Sequence, residues 1–160
     1  MNGNRIAPFV VVALLACGGA GSTRAPDAAL GDLQIFDLGA PAPAAPDVGA
    51  LYFTLVNAGA EPDTLVAVTT PDGTAMLHTV VTEDGLSRMQ HVMRIPIPAN
   101  DTVRLRPGGY HVMVSSLRRR WVVGDSVQFT LVFAGAGPLD VAAPVRTYTD
   151  VVEQLERAGP

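Results

Sequence analysis

From Gly49 onward the chain breaks into short apolar runs separated by turn residues at nearly even spacing, and this constrains the fold more than any other feature. The runs cover residues 50–56, 64–69, 76–82, 87–97, 102–105, 110–117 and 126–133. Between them stand Asn57-Ala58-Gly59, Pro71-Asp72-Gly73, Asp84-Gly85, Pro98-Ala99-Asn100-Asp101 and Pro107-Gly108-Gly109. Short runs rich in β-branched residues, closed by such turns, predict an all-β sandwich or barrel. No stretch in this region keeps a helical period, and no repeat of solenoid length is present. Only the tail, residues 147–157, sets Val151, Val152 and Leu155 on one side of a short helix. Residues 18–47, rich in Gly, Ala, Pro and Asp, read as a flexible tether, with Leu33-Gln34-Ile35-Phe36 as a first edge strand.

The 160 residues suffice for one domain with a real core. A net charge of -4 argues against nucleic acid, which needs a concentrated basic face. The single cysteine, Cys17, excludes an intramolecular disulfide and leaves no thiolate in the body of the domain. It follows Arg5 and an apolar run over residues 6–15, too short to span a bilayer and suited to a signal-peptide core. Leu14-Leu15-Ala16-Cys17 resembles the lipobox of bacterial lipoproteins, in which the peptide is cut before the cysteine and its thiol takes a diacylglycerol. The expected organisation is a signal peptide over 1–16, a lipidated Cys17 and tether over 17–32, a β-sandwich over 33–146 and a tail over 147–160. Such a chain is exported and membrane-anchored on the periplasmic side.

Histidine and methionine are unevenly distributed. His78, His91 and His111 are all the histidines, and Met76, Met89, Met93 and Met113 are all the methionines apart from the first residue. Imidazole and thioether groups gathered in one stretch suit a soft ion, copper(I) above all, and thioethers bind hard cations poorly. In His111-Val112-Met113 both donors point to one face of a strand. A two-residue turn at Asp84-Gly85 pairs Glu83 with Leu86, placing His78 opposite His91 with Met89 on the neighbouring diagonal. A one-residue slip would send His78 and Met89 to opposite faces. His78, Met89, His111 and Met113 stand out as a set, whereas Met76 and Met93 read as core filler and His91 as an ordinary histidine, an outer supporting group or a ligand on the way in.

The spacing resembles that of the PCuAC family of periplasmic copper chaperones. Ten residues separate His78 from Met89, and twenty-one separate Met89 from His111-Val112-Met113. The flanking text is also similar: Tyr52-Phe53-Thr54-Leu55-Val56-Asn57, Asp63-Thr64-Leu65-Val66, Ile97-Pro98-Ala99, Leu105-Arg106-Pro107-Gly108-Gly109-Tyr110-His111 and Val127-Gln128-Phe129-Thr130-Leu131-Val132-Phe133. The resemblance covers about residues 33 to 145. It implies a cupredoxin-like Greek-key β-sandwich holding one copper(I) between His78, His111, Met89 and Met113. It also implies delivery by ligand exchange, to the copper subunit of cytochrome c oxidase or its assembly factors. Protonation of the histidines at acid pH should weaken such a site.

The tail from Ala134 to Pro160 lacks the His- and Met-rich extension of some relatives, so a second, copper(II) site is not expected. An enzyme is disfavoured by the want of a nucleophile with a base, and a blue-copper protein by the want of a cysteine in the sandwich. Arg118-Arg119-Arg120 reads as a solvated turn before Trp121. The rival readings are a metal-free scaffold lipoprotein, whose four donors would not converge, and a copper storage or tolerance protein.

Overall fold

The computed structural model describes residues 24–157. The signal-like run and Cys17 lie outside the described residues. Eleven strands and one helix follow in order: β1 (Ala28–Leu30), β2 (Leu33–Pro41), β3 (Val48–Asn57), β4 (Asp63–Thr69), β5 (Thr74–Glu83), β6 (Leu86–His91), β7 (Ile95–Ile97), β8 (Asp101–Leu105), β9 (His111–Ser115), β10 (Ser126–Phe133), β11 (Gly137–Arg146) and α1 (Tyr148–Arg157). Their order across the hydrogen-bonded ladders is β6-β5-β9-β3-β2-β11-β10-β4-β7. Two antiparallel layers, β6-β5-β9-β3 and β11-β10-β4-β7, are joined through β2 by a short parallel pairing of Val145 with Ala40 and Arg146 with Pro41. The result is the expected Greek-key β-sandwich.

Alternation decides which residues enter the core. On β10, Val127, Phe129, Leu131 and Phe133 are buried and alternate with more exposed neighbours. They meet Leu51, Phe53, Leu55, Leu77, Val112 and Val114 in one continuous cluster. Trp121, 1% exposed, closes one end of the sandwich: its ring lies edge-on to Phe129 at 6.1 Å and its indole N–H donates to Asp72 at 3.1 Å. Asp72 also pairs with Arg119 at 2.8 Å, so the arginine run is tied down at its centre.

Three expectations need correction. The tether ends earlier than residue 32, because Ala28–Leu30 already pairs with β2. Arg24 bonds the buried Asp37, and Asp27 accepts the Leu38 amide at 2.9 Å, so this segment is fastened to the sandwich. Leu33–Phe36 opens a nine-residue strand that is not an edge: β1 and β3 flank it, and β11 joins at its end. The run over 87–97 is two strands, since the chain leaves β5 after Val92, whose amide still bonds the Leu77 carbonyl, and pairs with β4 from Ile95.

The tail forms the expected helix. Thr147 caps it, accepting the Asp150 amide at 3.1 Å while donating to the Asp150 carboxylate at 2.6 Å. Val151 and Leu155 pack on Tyr52 of β3, and Val151 also lies against Gly39 of β2.

Asp63, at the start of β4, fixes the β10–β11 turn. Its carboxylate accepts the amides of Gly135 at 2.8 Å, Ala136 at 2.9 Å and Thr64 at 2.6 Å. Partial burial pushes its pKa upward, but these amides outweigh that and hold it below the ordinary carboxylate value. Asp63→Ala is expected to lower unfolding free energy by about 1–3 kcal/mol, measured by urea denaturation at neutral pH. Because the folded pKa is depressed, the stabilisation is present above the unfolded value of 3.8 and fades as pH falls through the folded one. A variant as stable as wild type would show that the turn holds without this carboxylate.

Candidate metal centre

The site is built on the outward face of β6-β5-β9. Register sets His78 opposite His111 on one side and opposite His91 on the other, so three imidazoles form a row across three strands. The His78 and His111 rings stack with centroids 5.8 Å apart, and His91 meets His78 edge-on at 5.7 Å. Glu83 pairs with Leu86, as the turn chemistry predicts, and both turn residues have positive φ: Asp84 at 52° and Gly85 at 76°. That is the backbone a two-residue hairpin demands, and it locks the register on which the row depends. Since side chains alternate, Met89 shares a face with His91, Met113 with His111, and Met76 with His78. Leu77, Val112 and Val114 take the other face and belong to the core.

Although they face outward, His78 and His111 are only 8% and 6% exposed. Tyr52 lies beside His111 with ring centroids 6.3 Å apart, and α1 covers Tyr52 in turn. The His111 ring is fixed further by its Nδ1, which lies 3.0 Å from the Gly109 carbonyl oxygen. A carbonyl can only accept, so Nδ1 carries the hydrogen and the Nε2 lone pair is left for a ligand. His78 Nδ1 is buried and has no hydrogen-bond partner. A buried polar nitrogen without a partner is costly unless something outside the chain satisfies it, and a metal ion is one group that can.

Met89, His111 and Met113 line one groove of about 290 Å³, with Tyr52, Tyr148 and Gly49 among its other walls. His78 is not on the groove wall but stacks against His111. Met89 stands on the hairpin at 61% exposure, while Met113 is half-buried. The structure therefore brings the four predicted donors to one region of one sheet face. His91 is exposed and faces His78, as its register requires. Met76 is half-buried and Met93 is 76% exposed, so Met93 is not core filler. Among the described residues, no three His, Cys, Asp or Glu side chains gather closely enough to hold a metal ion.

Residues 33–145 match the family described as "Putative lipoprotein LpqE-like". The chain belongs to the LpqE-like family. A relative from Leifsonia xyli subsp. xyli, described as "Putative lipoprotein Lxx21020", is 30% identical over 109 residues, which is 67% of this chain and 66% of that protein. The chain thus spans just under two thirds of the relative's length. Among solved structures, a "Copper-bound PCuAC domain from PmoF2" superposes with a TM-score of 0.64 at 27% identity, covering 75% of this chain and 97% of that one. The solution structure of "CuI-DR1885" from Deinococcus radiodurans gives 0.56 at 36% identity, covering 69% and 77%. This LpqE-like chain is of the PCuAC type in sequence and fold.

Three residues of the LpqE-like site escape sequence reasoning. Tyr52 and Tyr148 wall the groove, and the Gly109 carbonyl orients His111. Tyr52 stands in a motif that sequence comparison highlights, but nothing in its spacing reveals contact with His111. Gly109 acts through its backbone, which leaves no side-chain signal.

Burial holds the His78 imidazole below its ordinary value of 6.5, and the neighbouring His111 and His91 add to the effect. A depressed histidine pKa means the unfolded chain takes up the proton first. Stability is therefore full above pH 6.5 and declines as pH falls from there through the folded value. Urea denaturation at about pH 7 and about pH 5 should show that decline in the metal-free protein, and His78→Gln should reduce it. An unchanged pH dependence in the variant would assign the effect to other groups.

Proposed function

We propose that this LpqE-like protein is a copper(I) carrier exported from the cytoplasm and anchored through a lipid on Cys17 at the periplasmic side of the membrane. The observation that carries the reading is the buried His78–His111 pair lying on the same sheet face as Met113 and Met89, beside an open groove. Two neutral imidazoles and two uncharged thioethers form a donor set for a soft monovalent ion, and the thioethers need no deprotonation. The copper-bound and copper(I)-bound neighbours support the choice of metal.

Copper is the cargo here, and the chemistry is ligand exchange. The Gly109 carbonyl keeps His111 Nε2 unprotonated in the neutral ring, and burial keeps His78 neutral below ordinary imidazole pH. Met89, at the rim, is the donor an incoming thiolate displaces first. The proposed recipient is a thiolate-rich copper acceptor, such as the copper subunit of cytochrome c oxidase or a factor assembling it. A lipid anchor holds the carrier beside membrane-embedded acceptors and raises its effective concentration there.

The test is a titration with copper(I) against a colorimetric chelator under reducing conditions. One tight equivalent is expected. Failure to compete with the chelator would leave the metal-free scaffold as the better account.

A further inference from the structure

We propose that Met76, His91 and Met93 form a second, weaker site for a soft monovalent metal ion, beside the groove. The proposal rests on the carrier reading for the identity of the ion. After Val92, whose amide still donates to the Leu77 carbonyl, the chain leaves β5 and crosses to β4, where pairing resumes at Ile95. At this crossover Met76, His91 and Met93 line one hollow of about 170 Å³, whose other walls include Val66 and Val68 of β4.

The donor set is again one imidazole with thioethers, which suits a soft ion and no hard one. Met93 gives a second reason. At 76% exposure it contributes little to the core, so packing does not account for a thioether there. The hollow also adjoins the main donors in two ways. Met76 is the direct cross-strand partner of Met113, and the His91 ring meets His78 edge-on at 5.7 Å. An ion held at the crossover is therefore one strand row away from the buried pair. Exposure makes this site the weaker one, because ordering a free Met93 side chain opposes binding.

The probe is silver(I), a soft monovalent ion without redox chemistry, added to the full chain labelled at its methionine methyl carbons. The first equivalent should shift Met89 and Met113, and the second should shift Met76 and Met93 together with the His91 ring. The double variant Met76→Leu/Met93→Leu keeps core volume, so it should fold normally and retain the first event. It should weaken the second by at least about tenfold. Unmoved Met76 and Met93 methyls beyond the second equivalent would overturn the proposal, as would undiminished second uptake by the double variant. Failure of the first-equivalent shifts, with the second set intact, would sink the carrier reading and leave this site standing.

Discussion

Replacing His111 by alanine should weaken copper(I) uptake by at least about 100-fold, a loss of about 2.7 kcal/mol in binding free energy. The residue contributes more than a nitrogen. Its ring is already oriented by the Gly109 carbonyl at 3.0 Å, stacked on His78 and walled by Tyr52, so little ordering opposes binding. No other side chain of the groove can supply an imidazole at that point, because His91 lies on the far side of His78. His78→Ala should match the loss and Met113→Ala should follow. Met89→Ala should lose least, since its exposed side chain is the least fixed of the four. Chelator competition measures the series, with far-UV circular dichroism to establish that each variant is folded. Equal uptake by wild type, His111→Ala and Met113→Ala would remove the metal site altogether.

The second large effect concerns the frame. Trp121→Ala should destabilise the domain by about 3–5 kcal/mol, a sizeable share of the total stability of a domain this size. The indole is wholly enclosed, meets Phe129 edge-on and donates to Asp72. It also packs against the start of β3. A Cβ built on Gly49 would lie 2.4 Å from the indole ring, so the strand approaches this closely only because residue 49 has no side chain. Gly49 and Ala50 pair with Val114 and Met113 of β9, so the same contact steadies the strand that carries two of the donors. Chemical denaturation measures the loss, and Gly49→Ala should be destabilising too, because the ring must shift. A variant at Trp121 within about 1 kcal/mol of wild type would show that the end of the sandwich collapses to fill the space.

Features governed by local chemistry were legible in the sequence. Asp84-Gly85 dictates a tight hairpin, and from that turn alone the pairing of His78 with His91 follows. His111-Val112-Met113 shows its shared face by simple alternation. What stayed hidden depends on partners distant in sequence. The second half of β2, Gly39-Ala40-Pro41, shows no alternation because β2 is covered on both faces there, with α1 over Gly39. β11 carries Pro138 and Pro144, residues that argue against a strand. They are tolerated because β10 is its ladder partner over most of its length and β2 joins only at Val145 and Arg146. Met93 reads as core filler because a methionine on a strand usually is one, yet it sits where the chain passes from one layer to the other.

The uneven enclosure of the four proposed donors implies an order of events for the proposed carrier. The two imidazoles stack on each other, a helix-backed tyrosine stands beside His111, and Met113 rides on a central strand. Met89 alone projects from a two-stranded ribbon with solvent around it. In the proposed carrier, three anchors and one latch let the cargo leave by a single gate, so the rate of hand-over should track the motion of the hairpin tip rather than the rigidity of the sandwich.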